Sequence, residues 1–130
     1  MHRGPVPDSG NSMRQFKRSQ RLGQQIHRDI SALLERGLSD FGPGIVTFTR
    51  VKLSDDLRHA RVYYSYLGSA EDRDRVTGYL LRERKRIRHQ VGQKLRVRVI
   101  PEIDFTFDPS IEEGIKIERI LEELKSKSEQ

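Results

Sequence analysis

The apolar positions change period several times along the chain, and each change marks an element. From Phe16 onward, Leu22, Ile26, Ile30, Leu33 and Leu34 recur at three- and four-residue spacing, which predicts an amphipathic helix ended by Gly37. After the turn FGPG (41–44), the runs IVTFTRVKL (45–53) and RHARVYYSYL (58–67) are β-branched and aromatic, and SDDL joins them as a hairpin connection. Ala60, Val62, Tyr64 and Tyr66 alternate with Arg61, Tyr63 and Ser65, so a one-faced antiparallel sheet is expected.

Ser69 followed by Asp72 has the spacing of a capping box and opens a second helix, with a stripe of Val76, Leu80, Ile87 and Val91. The stripe is interrupted, because positions 83 and 84 hold Glu and Arg. Either the helix runs through with one core position missing, or it bends there into two shorter helices. LRVRVI (95–100) sets Leu95, Val97 and Val99 inward against Arg96 and Arg98 and predicts a third strand. Pro101 should interrupt its ladder before Ile103, Phe105 and Phe107 resume the alternation. Ser110 with Glu113 caps a last helix, whose Ile117, Ile120 and Leu121 are expected to pack on the core, with Leu124 continuing the stripe. Residues 1–13, rich in Gly, Pro and Ser, are expected to be a disordered tail, 14–125 a single domain, and 126–130 a frayed end.

Composition narrows this picture. A chain of 130 residues with 34% apolar and 34% charged residues supports one domain with a small core. The absence of Cys excludes disulfides and thiolate metal sites. No signal-peptide pattern and no long apolar run occur, so a soluble cytoplasmic protein is expected.

Charge changes the picture most. The net of +6 is unevenly placed: residues 1–21 hold five bases and one acid, residues 71–100 ten bases and four acids, and residues 101–130 four bases and nine acids. Arg14, Lys17, Arg18 and Arg21 sit where the first helix opens, against its macrodipole, so helix stability does not account for them. In LRERKRIRHQVGQKLRVRV (81–99), eight residues are Lys or Arg and one, Glu83, is acidic. On a continuous helix Arg82, Lys85, Arg86 and His89 lie opposite the apolar stripe, with Arg84 within the run and Arg88 at its flank. Arg96 and Arg98 extend the same sign onto the next segment. Two such patches form the footprint of a nucleic-acid partner. A membrane partner is not expected, because the basic helix lacks the apolar face of an interfacial helix.

Catalytic chemistry is not legible. No phosphate-cradling Gly loop occurs, and His2, His27, His59 and His89 have no paired ligand spacing, so no cofactor and no metal is expected. Asp55 and Asp56 are the acids of a turn. Asp104 and Asp108, with Glu112 nearby, raise a rival reading, a Mg²⁺-dependent RNA-processing enzyme. A further rival is a protein-docking module whose acidic C-terminal helix binds a basic ribosomal protein or a GTPase.

Three segments resemble the ribosome-binding factor A family over most of the chain, from about Phe16 to about Leu124. They are Arg18-x-x-Arg21-Leu22-x-x-x-Ile26, the hairpin SDDLRHARVYYSYL, and LRVRVIPEIDFTFDPSIEEGIKI with Arg96, Arg98, Pro101, Glu102, Phe105, Asp108, Ser110, Glu113 and Gly114. The resemblance implies an α+β, KH-like fold of the bacterial type without its G-x-x-G loop, with helices on one face of a three-stranded sheet. It also implies a non-enzymatic role in binding the immature small ribosomal subunit and its rRNA, aiding late maturation and end processing, with importance in the cold. Assembly GTPases are implied as further partners, and a monomer is expected. The family often bends its second helix at an Ala-x-Gly step, which falls here at Glu83, Arg84 and Lys85.

Overall fold

In the computed structural model, residues 9–35 and 37–128 are described. The elements run α1 (Ser9–Leu34), a 3₁₀ turn (Gly37–Phe41), β1 (Ile45–Leu53), β2 (His59–Leu67), α2 (Ala70–Arg82), α3 (Arg84–Gly92), β3 (Glu102–Phe107) and α4 (Ser110–Ser128). Helix α1 starts before the expected tail boundary at residue 13; residues 1–8 lie outside the described part. Likewise α4 continues through Ser128, beyond the expected boundary at 125.

The sheet has the order β1-β2-β3 and is mixed: β1 pairs antiparallel with β2, and β3 lies parallel to β2 with His59 opposite Glu102 and Tyr64 opposite Phe107. The hairpin is antiparallel, as its alternation predicts, and β3 adds a parallel neighbour that makes the sheet mixed. A parallel neighbour needs a crossover, and α2 and α3 supply it. Ala60, Val62, Tyr64 and Tyr66 of β2 are buried against Ile26, Ile30 and Leu34 of α1 and Val76, Leu80, Ile87 and Val91 of α2 and α3. Each such aliphatic side chain contributes about 1.5–3 kcal/mol on burial. The two tyrosines keep a polar tip satisfied: the Tyr64 hydroxyl bonds Thr77 Oγ1 (2.7 Å), and Tyr66 accepts from the Gly44 N–H (3.2 Å). A Cβ at Gly44 would lie 2.3 Å from the Tyr66 ring, so only glycine fits that turn.

A bulge between Phe48 and Arg50 interrupts the β1–β2 register, and α1 grips the sheet there. The ring N–H of His27 meets the Phe48 carbonyl, and Glu35 accepts the Phe48 N–H at 3.3 Å.

The second helix is broken at Glu83. It has φ −95° and ψ 7°, and is both the last cap of α2 and the first of α3. This bridge conformation is open to any L residue, which is why the bend persists without the glycine expected of the family. The Ser69 hydroxyl caps α2 by accepting from the Asp72 N–H (3.1 Å), as its spacing predicts.

Three expectations fail. Residues 95–100 form no strand, and Val97 and Val99 are exposed rather than inward. Parallel pairing sets Glu102 against His59, and upstream of His59 the chain turns, so these residues have no strand to pair with. At α4, the first cap is not Ser110 with Glu113. Asp108 accepts the Ser110 N–H at 3.0 Å and the Thr49 hydroxyl at 2.8 Å, and Pro109 stands at the opening of the helix, where its missing N–H costs nothing. Finally, Ile117, Ile120, Leu121 and Leu124 do not pack on the core; they are 54–60% exposed. The helix-covered face of the sheet is already occupied by α1, α2 and α3, and α4 meets the sheet chiefly at β2.

Two predictions test this arrangement. Ile30→Ala should cost about 2–5 kcal/mol in urea unfolding, whereas Ile120→Ala should stay within about 0.5 kcal/mol of the parent. Backbone and hydroxyl donors from Ser110, with the Thr49 hydroxyl, hold the Asp108 carboxyl below its ordinary 3.8. Its stabilisation is therefore complete well above pH 3.8 and is lost as pH falls through and below that value. Asp108→Ala should cost about 1 kcal/mol at neutral pH, and the gap should close in acid, read by thermal melts across pH.

Candidate nucleic-acid interface

Three segments meet at the end of the sheet where β2 and β3 begin. The first is the N-terminal half of α1, which displays Arg18 and Arg21, both exposed. The second is the β1–β2 turn. Asp56 accepts from the Ser54 hydroxyl (2.7 Å) and the Arg58 N–H (3.0 Å), and the Ser54 hydroxyl accepts the His59 N–H (3.0 Å). Those two donors to Asp56, Ser54 first, with help from the charges of His59 and Arg58, hold its carboxyl below 3.8. Leu57 takes a left-handed conformation, φ 61°, which costs a non-glycine residue about 1–2 kcal/mol. Its side chain lines the groove described next.

The third segment is 93–100. Arg88 anchors its far end, donating Nε to the Pro101 carbonyl (3.0 Å) and Nη2 to the Ile100 carbonyl (2.7 Å), while Ile100 packs over Gly92. Between these anchors Lys94, Arg96 and Arg98 are exposed. The three segments enclose a groove of about 500 Å³ walled by Leu22, Leu57, Leu95 and Val97 and rimmed by Arg18, Arg21, Lys94 and Arg96. It continues into a space of about 340 Å³ that adds Asp56, Arg58, Arg98 and Val99, one acid among the cations. None of these six cations forms an ion pair with another described residue. Such a groove presents forked and point-charge donors to phosphate over an apolar floor.

The residues predicted from the two basic patches are thus divided. Arg18, Arg21, Arg96 and Arg98 come together in the groove. Arg82, Lys85 and His89 are exposed on the α2–α3 face, and His89 meets the Gln93 amide at 3.3 Å. Arg84 pairs with Asp104 at 2.8 Å. Arg86 donates to Glu83 (2.6 Å), the Tyr79 hydroxyl (2.8 Å) and Gln90 (3.1 Å). The Glu83 carboxylate raises the Arg86 pKa further above its ordinary value. Arg88 is a structural anchor. The paucity of acids in the run therefore does not leave Arg84 and Arg88 unpaired, because Asp104 and Glu102 reach them from β3. Exposed pairs of this kind contribute little, so Arg84 and Arg86 can exchange partners while Arg88 cannot.

Sequence reasoning did not assign Arg58 and Lys94 to the site. Lys94 stands inside the basic run, so a signal existed. Arg58 follows a turn and carried none. The rival metal site is not assembled: Asp104 is held by Arg84, Asp108 caps α4, and no group of three or more candidate ligands occurs among the described residues. No described helix is long and apolar enough to cross a membrane.

The family model described as ribosome-binding factor A matches residues 18–121. The chain belongs to this family. Ribosome-binding factor A of Geobacter metallireducens is 42% identical over 111 residues, which cover 85% of this chain and 94% of that one. The same-named protein of Brevibacillus brevis is 38% identical over 112 residues, 86% of this chain and 93% of that one. The crystal structure of ribosome-binding factor A from Thermus thermophilus superposes with a TM-score of 0.57 at 20% identity, over 68% of this chain and 93% of that one, a likeness of fold. A Thermotoga maritima protein solved by NMR gives a TM-score of 0.50 at 33% identity, over 68% of this chain and 80% of that one. The α+β, KH-like architecture implied by the resemblance is the one this family member adopts.

The division among the arginines is measurable. Arg88→Ala should lower stability by about 1.5–3 kcal/mol, the range for a charged donor lost from buried carbonyls. Arg84→Ala should lower it by no more than about 1 kcal/mol, both read by chemical denaturation.

Proposed function

We propose that the chain is a ribosome-assembly factor that binds the immature small ribosomal subunit through its rRNA and aids late maturation and rRNA end processing. The observation that carries this reading is the convergence of Arg18, Arg21, Arg58, Lys94, Arg96 and Arg98 on one groove. The name shared by its relatives, ribosome-binding factor A, points to the same class of partner. Phosphate contacts release counterions and give affinity without reading sequence, so placement on the subunit follows RNA shape. The role is one of binding and not of catalysis. It is exercised by a monomer in the cytoplasm, and it matters most in the cold, where misfolded RNA is slowest to rearrange. Assembly GTPases stay among the partners implied by the resemblance, and no feature of the described residues selects them.

Co-sedimentation with immature small subunits tests the surface. The triple variant Arg18→Glu, Arg21→Glu, Arg96→Glu should bind at least about tenfold more weakly, and the slope of log K against log salt should flatten by about two units. Arg82→Glu with Lys85→Glu should lose less. Unchanged binding by the folded triple variant overturns the groove as the RNA surface.

A further inference from the structure

Helices α1, α2 and α3 cover one face of the sheet, and the register of the strands shows what stands on the other. Lys52 of β1 is directly opposite Arg61 of β2, and in the next row Arg50 is opposite Tyr63. These residues alternate with the buried Ala60, Val62 and Tyr64, so they share the face that the three helices leave open. Arg50, Lys52 and Arg61 are exposed, as is His59, which precedes Arg61 by two residues on the same face. Lys52 and Arg61 border an open space of about 300 Å³, with Ser54, His59 and Asp104 also on its wall.

Like charges directly opposite each other destabilise an antiparallel pair. The acids that would offset them stand on β3, where Glu102 is opposite His59 and Asp104 is opposite Arg61. Both are engaged from α3: Arg84 holds Asp104 at 2.8 Å, and Arg88 lies 3.8 Å from Glu102. Arg50, Lys52 and Arg61 form no ion pair with another described residue. Arg50 lies instead over the Tyr63 ring, 4.1 Å from its centroid, which keeps a guanidinium at the surface of the sheet.

The missing counter-charge defines the ligand as an anion. A lipid surface also needs apolar side chains to enter it, and in these rows only Tyr63 has an apolar body, beneath Arg50. An acidic peptide matches the charge, but the position of the face favours nucleic acid. Arg58 lines the basic groove, and His59, next in the chain, lines the open-face space. The two surfaces therefore adjoin at the β1–β2 turn.

We infer that the open face of the sheet, centred on Lys52 and Arg61, holds the phosphate backbone of a second RNA segment, so that the domain bridges two segments across the β1–β2 turn. Phosphate between the two cations offsets their repulsion, and the guanidinium of Arg50 offers a plane on which a neighbouring base stacks. This inference rests on the RNA-binding reading of the groove and adds a second site to it.

Energy transfer between two short RNA hairpins, one carrying a donor dye and the other an acceptor, tests it with the full chain. The parent should bring the hairpins together. Lys52→Gln with Arg61→Gln should abolish the transfer and still bind one hairpin, with a slope of log K against log salt flatter by about one and a half units. Lys52→Glu, which sets an acid opposite Arg61, should melt higher than the parent at low salt while also losing the transfer. Lower stability with unchanged transfer assigns the pair a structural role and overturns the proposal. Unchanged transfer by the folded glutamine variant, or hairpin binding without transfer by the parent, overturns the open face and leaves the groove standing. Displacement of one hairpin by polyglutamate at lower charge concentration than by unlabelled RNA assigns the face to an acidic protein and overturns it too. Failure of the parent to bind any hairpin overturns both sites.

Discussion

Strand β2 is paired on both sides, antiparallel to β1 and parallel to β3, and the burial of Ala60, Val62, Tyr64 and Tyr66 along it places the rest of the molecule. Parallel pairing requires a crossover over the buried face, and the α2–α3 unit provides it with Val76, Leu80, Ile87 and Val91. The same pairing makes β3 begin where β2 begins. Residues 93–100 are therefore left beyond the sheet, beside the β1–β2 turn and α1. The basic groove follows from that register: two positively charged segments and the turn that carries Arg58 meet there because the ladder ends there. If β3 began at Leu95, as the alternation of LRVRVI suggests, Arg96 and Arg98 would be spread along a strand and the groove would not exist.

The elements were legible wherever the pattern needed only the chain's own neighbours. The hairpin follows from period-two alternation, and the Ser69 cap from a local hydrogen bond. What was not legible depended on partners distant in sequence. LRVRVI alternates as well as any strand, but alternation does not show whether another strand is available to pair with it. The α4 stripe has helical spacing, but spacing does not show that α1, α2 and α3 already fill the face it would need. Glu83 shows both sides of this. The interrupted stripe marked the position of the bend, while the choice between a bend and a straight helix rested on one residue entering the bridge region.

The site was legible as charge and not as availability. Arg84, Arg86 and Arg88 look alike in the sequence, yet the fold pairs the first with Asp104, the second with Glu83 and Tyr79, and uses the third to hold two backbone carbonyls. Arg58 was hidden because a lone arginine after a turn has no pattern.

Arg88 shows how the groove depends on the helices behind it. Its guanidinium closes the loop from α3 to β3 by binding the Ile100 and Pro101 carbonyls, which leaves Lys94, Arg96 and Arg98 on a span fixed at both ends. Fixing the span reduces the conformational entropy that phosphate binding would otherwise have to overcome. The break at Glu83 separates α3 from α2, so that α3 can seat Ile87 and Val91 in the core while presenting Arg88 to those carbonyls. A basic groove alone gives affinity that falls with salt and is indifferent to sequence.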